Sequence, residues 1–182
     1  PLPTDPILGL MAAYKQDTNP NKIDLGVGVY KDEQGNTPVL KAVKKAEAFR
    51  LENETSKSYI GLAGNLDYCQ KMENLLLGEH QALLANRVRT AQAPGGTGAL
   101  RVAAEFVKRC NKDATVWVTT PTWANHISLF EAAGLNVKEY PYYDYENKDL
   151  LFDDMINTLK QVPKGDIVLL HACCHNPSGM DL

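Results

Sequence analysis

Three short segments of the chain carry residues that could hold a charged, flat ligand. Gly95-Gly96-Thr97-Gly98 is a glycine-rich turn with one hydroxyl, set just ahead of apolar residues at helical spacing: Leu100, Ala103, Ala104 and Val107. A helix start leaves backbone N–H groups unpaired and carries a partial positive charge, so this turn offers amides and the Thr97 hydroxyl to an anion, most often a phosphate. The same glycines would also serve a tight strand-to-helix turn that binds nothing. Neither common phosphate motif is present: no Gly-Lys-Ser/Thr follows, and the Rossmann glycine spacing is not matched. Pro121-Thr122-Trp123-Ala124-Asn125-His126 adds a flat indole with one N–H donor and a titratable imidazole. His175-Asn176-Pro177-Ser178-Gly179 adds an amide side chain, with Asn176 restricted to extended geometry by the ring of Pro177. Taken singly, Trp123 also reads as core, His126 as a satisfied polar group and Asn176 as a turn former. Jointly they describe a pocket for a flat, polar, phosphorylated ring.

The surrounding elements must bring these segments to one edge. Val88 to Ala93 reads as a strand ended by Pro94, Ala99 to Arg109 as a helix and Ala114 to Thr119 as a strand. Trp123 to Ala133 follows as a helix stopped by Gly134, then a strand from Asn136 to Tyr140, a helix from Phe152 to Val162 and a strand from Asp166 to His171. This alternation predicts an α/β fold with a mostly parallel central sheet and helices on both faces. Ligands of such sheets sit beyond the carboxyl ends of the strands, where all three segments fall.

Upstream, Pro1 to Pro20 reads as an extended arm turning into a helix, with Asp5 and Pro6 as N-cap and first turn and an apolar face of Ile7, Leu8, Leu10, Met11 and Tyr14. Ile23 to Tyr30 reads as a strand interrupted by Gly26 and Gly28, which mark either a close approach by another group or a simple bend before the turn Lys31 to Asn36. Thr37 to Leu51 is expected to be an amphipathic helix with Pro38 in its first turn. Asn53 to Gly64 is a loop holding Tyr59, which either hydrogen-bonds a ligand or covers the core, and Leu66 to Leu77 is a helix stopped by Gly78.

A chain of 182 residues with 44% hydrophobic residues can build a sizeable core. Its formal charge of -3, without a long block of one sign, speaks against nucleic acid or an anionic membrane as partner. There is no apolar run of transmembrane length and no charged-then-apolar segment at Pro1, so a cytoplasmic protein is expected. Cys69 and Cys110 stand alone in helix-like stretches, while Cys173 and Cys174 are adjacent at the end of an apolar strand with His171 and His175 nearby. No Cys-x-x-Cys pair occurs, so the cysteines are read as buried small residues and no metal is expected.

At this point the sequence resembles the aspartate aminotransferase family, fold type I enzymes that depend on pyridoxal 5'-phosphate. Five segments carry the resemblance: Asp5-Pro6-Ile7-Leu8, Leu25 to Lys31, Gly95 to Arg101, Pro121 to His126 and His171 to Gly179. The resemblance implies that Gly95, Gly96 and Thr97 form the phosphate cup, that Trp123 stacks on the pyridine ring and reaches a substrate carboxylate, and that Asn176 donates to the ring's phenolic oxygen and to the substrate α-carboxylate. It implies Gly28 as the glycine whose backbone meets that carboxylate, and Tyr59 as the hydroxyl reaching across a homodimer interface to the neighbouring subunit's phosphate. His126 is implied to stand behind the ring, and Ile7 and Leu8 to form the apolar lip of the entrance. In family terms, residues 1–36 are the arm and the start of a small domain, and 37–182 the first part of the large cofactor-binding domain.

The implied reaction moves an amino group between L-aspartate and 2-oxoglutarate, giving oxaloacetate and L-glutamate. The family's Schiff-base lysine and its carboxylate-binding arginines lie after the Asn-Pro motif, so no catalytic residue is assigned in this chain. Lys41, Lys44, Lys45 and Lys108 read as solvated charges on helix faces. The expectation is therefore part of a longer enzyme, inactive by itself, with an aromatic amino acid aminotransferase of the same subfamily or a non-catalytic remnant as the alternatives.

Overall fold

Helix α1 (Pro6–Gln16) is the first element of the computed structural model, which describes residues 6–24, 26, 28–78 and 87–182, and side chains from residue 9 onward. The chain forms two compact units, residues 1–59 and 60–182, each described by itself. In the first, the Lys22 ammonium donates to the carbonyls of Tyr14 (2.7 Å) and Asp17 (2.6 Å), placing a cation where the end of α1 leaves carbonyls unpaired.

The strand expected over 23–30 does not form among the described residues. Asp24 instead accepts the Gly26 amide at 3.0 Å and pairs with Lys31 at 2.8 Å, so a short carboxylate turns the backbone that a ladder would have used. Leu25 and Val27 lie outside the described residues. The turn after it is as expected, with Asp32 accepting the amides of Gln34 and Asn36. Helix α2 (Lys41–Asn53) begins four residues later than expected, because Leu40 is still extended (φ -59°, ψ 140°) and Pro38 lies ahead of the helix.

In the second unit, helix α3 (Leu66–Leu77) has the predicted bounds. Asn65 caps it by accepting the Tyr68 amide at 3.0 Å, and Gly78 ends it at φ 53°, a backbone that favours glycine. Residues 88–93, expected as a strand, have no ladder partner among the described residues. Gln92 is tied to the preceding loop instead: its amide donates to Ala63 O at 2.8 Å, and its side chain accepts from Asn65 N at 3.0 Å. Helix α4 (Gly95–Cys110) takes in the glycines assigned to a turn, starting directly after Pro94.

Strand β1 (Thr115–Thr120) and helix α5 (Ala124–Ala132) follow, then strand β2 (Asn136–Pro141), the two-residue strands β3 (Tyr143–Asp144) and β4 (Asp149–Leu150), helix α6 (Phe152–Leu159) and strand β5 (Ile167–Val168). β1 is the middle of a parallel sheet ordered β2-β1-β5, in register with β2 from Thr115↔Asn136 to Thr120↔Pro141 and with β5 at Val116↔Ile167 and Trp117↔Val168. The last strand is thus shorter than the expected 166–171. The antiparallel pair β3-β4 was not foreseen, since two-residue strands carry no periodic signal.

The chain moves from β1 to β2 in one direction and from β2 back past β1 to β5 in the other. Two right-handed crossovers of opposite direction put their helices on opposite faces. One face buries Val116 and Val118 of β1 against Ala104 of α4 and Phe130 of α5. On the other, Tyr140, Tyr142 and Met155 of α6 pack with Trp117 and Val168. The predicted α/β sheet with helices on both faces is present.

Two further expectations need correction. Among the described cysteines only Cys69 is buried, while Cys110, Cys173 and Cys174 are exposed; β5 ends at Val168, so the adjacent pair lies in a loop and not at a buried strand end. Lys108 is not simply solvated. Its ammonium donates to the carbonyls of Lys112 (2.7 Å) and Gly134, joining the far end of α4 to the turn after α5.

Candidate functional site

The carboxyl ends of β1 and β5 open into the segments 120–126 and 169–181, and the start of α4 stands beside the first of these. Gly95 has φ 64°, a conformation that side chains rarely adopt, and a Cβ built on Gly96 would meet nothing within 4 Å. Helix geometry leaves the amides of Gly95, Gly96 and Thr97 without an i-4 carbonyl, and all three residues are exposed. They form an open cradle of donors. Asn125 Nδ2 lies 3.5 Å from Thr97 Oγ1, which links the cradle to the segment carrying Trp123 and His126.

A row of rings runs behind this point. Trp123, half-buried, meets buried His126 edge-on with centroids 5.3 Å apart; His126 meets His171 edge-on at 5.1 Å; His171 stacks on His175 at 4.2 Å; and His175 stacks on Tyr142 at 4.0 Å. Threonines at the end of β1 hold the row from the sheet side. Thr119 Oγ1 is 3.0 Å from His175 Nε2, and Thr122 Oγ1 is 2.8 Å from His126 Nδ1. Burial lowers all three imidazoles: His126 through desolvation and then the neighbouring His171, His171 through desolvation opposed by Asp181, and His175, down to about 4, through desolvation and then His171. The row is neutral at neutral pH.

The loop after β5 closes on itself around Asn176. The Asp181 carboxylate accepts the amides of His175 (2.9 Å) and Cys174 (3.0 Å), which hold its carboxyl below the usual range. Ser178 Oγ lies 2.7 Å from His175 Nδ1 and accepts the Met180 amide, while the Tyr142 hydroxyl donates to Met180 O at 2.7 Å. The Asn176 amide donates to His171 Nδ1 at 3.1 Å. The Asn176 side chain is exposed, and like the indole N–H of Trp123 it has no hydrogen-bond partner among the described residues. His171 Nε2 is buried without a partner among the described residues.

The second unit thus brings Thr97, Trp123, His126 and Asn176 to one edge of the sheet. Gly28 and Tyr59 belong to the first unit and are described only within it: Tyr59 is fully exposed, and a Cβ on Gly28 would meet nothing within 4 Å there. The side chains of Ile7 and Leu8 lie outside the described residues. Sequence reasoning missed Thr119, His171, Ser178, Asp181 and Tyr142 as supports of this edge. A signal existed in the Ser and Asp of a Pro/Gly-rich loop, residue types that bind nearby backbone amides. Among the described residues, no group of three or more His, Cys, Asp or Glu could hold a metal ion.

Residues 20–182 match the family described as aminotransferase class I and II. The chain belongs to the class I and II aminotransferases. This aminotransferase chain is 54% identical over 180 residues to an aspartate aminotransferase of Escherichia coli, covering 98% of the chain and 46% of that protein. It is 50% identical over 182 residues to an aromatic-amino-acid aminotransferase of Pseudomonas aeruginosa, covering 45% of that protein. Its fold superposes on the crystal structure of the aromatic-amino-acid aminotransferase of Burkholderia pseudomallei, covalently bound to pyridoxal phosphate, with a TM-score of 0.90 at 47% identity, covering 100% of this chain and 46% of that one. The aminotransferase chain therefore spans about half the length of the relatives it matches.

Proposed function

We propose that the complete protein carrying these residues is a pyridoxal-phosphate-dependent aminotransferase that moves an amino group between L-aspartate and 2-oxoglutarate. The observation that carries this reading is the meeting of an open amide cradle, Thr97 included, with an unpaired indole N–H and an unpaired amide side chain at one sheet edge. This donor set fits a flat phosphorylated ring, and the empty space over Gly96 leaves room for a phosphate.

When bound, pyridoxal phosphate supplies the electron sink for breaking a bond at the amino acid's α-carbon. Gly95, Gly96 and Thr97 hold the phosphate, with Asn125 orienting the Thr97 hydroxyl. Trp123 covers one ring face and donates to a substrate carboxylate, and Asn176 donates to the ring's phenolic oxygen and to the α-carboxylate. His126, kept neutral by burial, stands behind the ring. The family resemblance further implies Gly28 as the glycine whose backbone meets the substrate carboxylate, Ile7 and Leu8 as the entrance lip, and Tyr59 as reaching the phosphate of the second subunit in a homodimer. Residues 1–36 are taken as the arm and start of the small domain, 37–182 as the first part of the large one. A cytoplasmic enzyme is consistent with this reading; no helix of the described residues is long and apolar enough to cross a membrane.

A second reading, an aromatic amino acid aminotransferase, is favoured by the 50% identity to the Pseudomonas aeruginosa protein. Titrating the complete protein with pyridoxal phosphate and comparing rates with aspartate and phenylalanine tests both. The proposal expects an absorbance change on loading, a second and different change when aspartate is added, and faster turnover of aspartate than of phenylalanine. Preference for phenylalanine moves the assignment to the second reading, and no cofactor binding removes both.

A further inference from the structure

We infer that His171 is a positioning residue whose Nδ1 lone pair fixes the backbone of Asn176, a task that only its neutral imidazole can perform. The inference rests on the role proposed for Asn176 and adds what sets the direction of that side chain. A backbone N–H can only donate, so the 3.1 Å contact from Asn176 N requires an unprotonated Nδ1 and puts the neutral ring's proton on Nε2. Nε2 is buried without a partner among the described residues, so no contact on that side competes in choosing the tautomer. Asn176 is followed by a proline, which offers no N–H, and its own side chain is unpartnered among the described residues, leaving the contact with His171 to hold its backbone amide.

A second proton on His171 would have to enter at Nδ1, directly facing the Asn176 N–H. An attraction would become a clash of two donors, and the Asn176 N–H would lose its acceptor. The groups that face the ring are His126 from α5, edge-on at 5.1 Å, His175 stacked at 4.2 Å, and the Asp181 carboxylate from the end of the loop. Both histidine neighbours are themselves held neutral by burial, and Asp181 is the one nearby charge that favours the imidazolium. Falling pH therefore acts on Asn176 through His171.

The test follows the exchange of the Asn176 amide with deuterium in the complete protein, resolved to single residues by fragmentation mass spectrometry and corrected for intrinsic exchange. In the wild type we expect protection at neutral pH and about a tenfold loss as His171 protonates in acid. His171→Asn keeps an acceptor oxygen near the Nδ1 position and should hold that protection across the same pH range. His171→Leu keeps bulk without the acceptor, should lose protection at every pH, and should raise KM for the amino acid about tenfold with a smaller change in kcat. Wild-type protection that does not change with pH, or protection and KM values equal in the two variants, overturns the inference. The wild-type pH series needs no variant to fold. Should protection behave as expected in a protein that transfers no amino group, the proposed function fails while the positioning role stands.

Discussion

At the amino-terminal edge of the parallel sheet the side-chain donors are answered from within the chain. Asp166 accepts the Thr115 amide at 3.0 Å and the Trp117 indole N–H at 2.9 Å, and Asn111 donates to Gly165 O at 3.2 Å. At the carboxyl-terminal edge the indole N–H of Trp123, the side-chain amide of Asn176 and Nε2 of His171 have no partner among the described residues. The two tryptophans, six residues apart in sequence, state the difference in miniature. One uses its N–H to close the fold, and the other's N–H has no partner among the described residues. Among these groups only His171 Nε2 is buried, where an unpaired polar atom costs stability; the indole N–H and the Asn176 side chain are open to solvent.

The largest expected effect comes from exchanging these roles. Trp123→Ala should lower kcat/KM between about 10- and 100-fold, the worth of a hydrogen bond to a charged group, while leaving the melting temperature almost unchanged. Trp117→Ala should do the reverse, costing about 3 kcal/mol of folding stability by emptying its place against the cluster of Tyr140, Tyr142 and Met155. Paired denaturation and kinetic measurements check both, and a Trp123 variant with unchanged kinetics would break the contrast.

An intermediate effect is expected from pH. His175 is held neutral, with its value pushed down to about 4, so between roughly pH 6.5 and 4 the unfolded chain binds the proton that the folded one refuses. Stability associated with this edge should fall across that window as pH decreases, and His175→Gln should flatten the fall. Asp166 acts in the same direction but in a lower pH window. Its carboxyl is held below the usual value, chiefly by the Trp117 hydrogen bond, so its contribution is full above about pH 4 and is lost only as pH drops through the lowered value. Melting curves at several pH values distinguish the edges; a wild-type fall confined below pH 4 would contradict the assignment to His175. The smallest effect belongs to Asp166→Asn, a drop of a few degrees in melting temperature that should vanish in strong acid, with catalysis unaffected.

The same contrast explains what could be read from the sequence. Long periodic elements were legible: α3 has its predicted bounds, and β1, α5, β2 and the start of α6 fall within a residue or two of expectation. Thr97, Trp123, His126 and Asn176 could be picked out because turn glycines, an indole and an Asn-Pro pair are unusual as types. Elements decided by a single side chain competing for a backbone amide were not legible. Asp24 turned an expected strand into a bend, and Gln92 tied the segment before α4 to a loop. The supports of Asn176 were hidden for a related reason: Thr119, His171 and Asp181 matter through register and loop closure, which no local pattern announces.

Lys108 clasps the last turn of α4 to the end of α5, while the proposed phosphate cradle occupies the opposite tip of this 16-residue helix. The helix is about 24 Å long, with Ala104 in the core holding its middle and Lys108 fixing its far end. Lys108→Met, which removes that ammonium alone, is therefore expected to loosen the far end of α4 without removing any group of the proposed cradle.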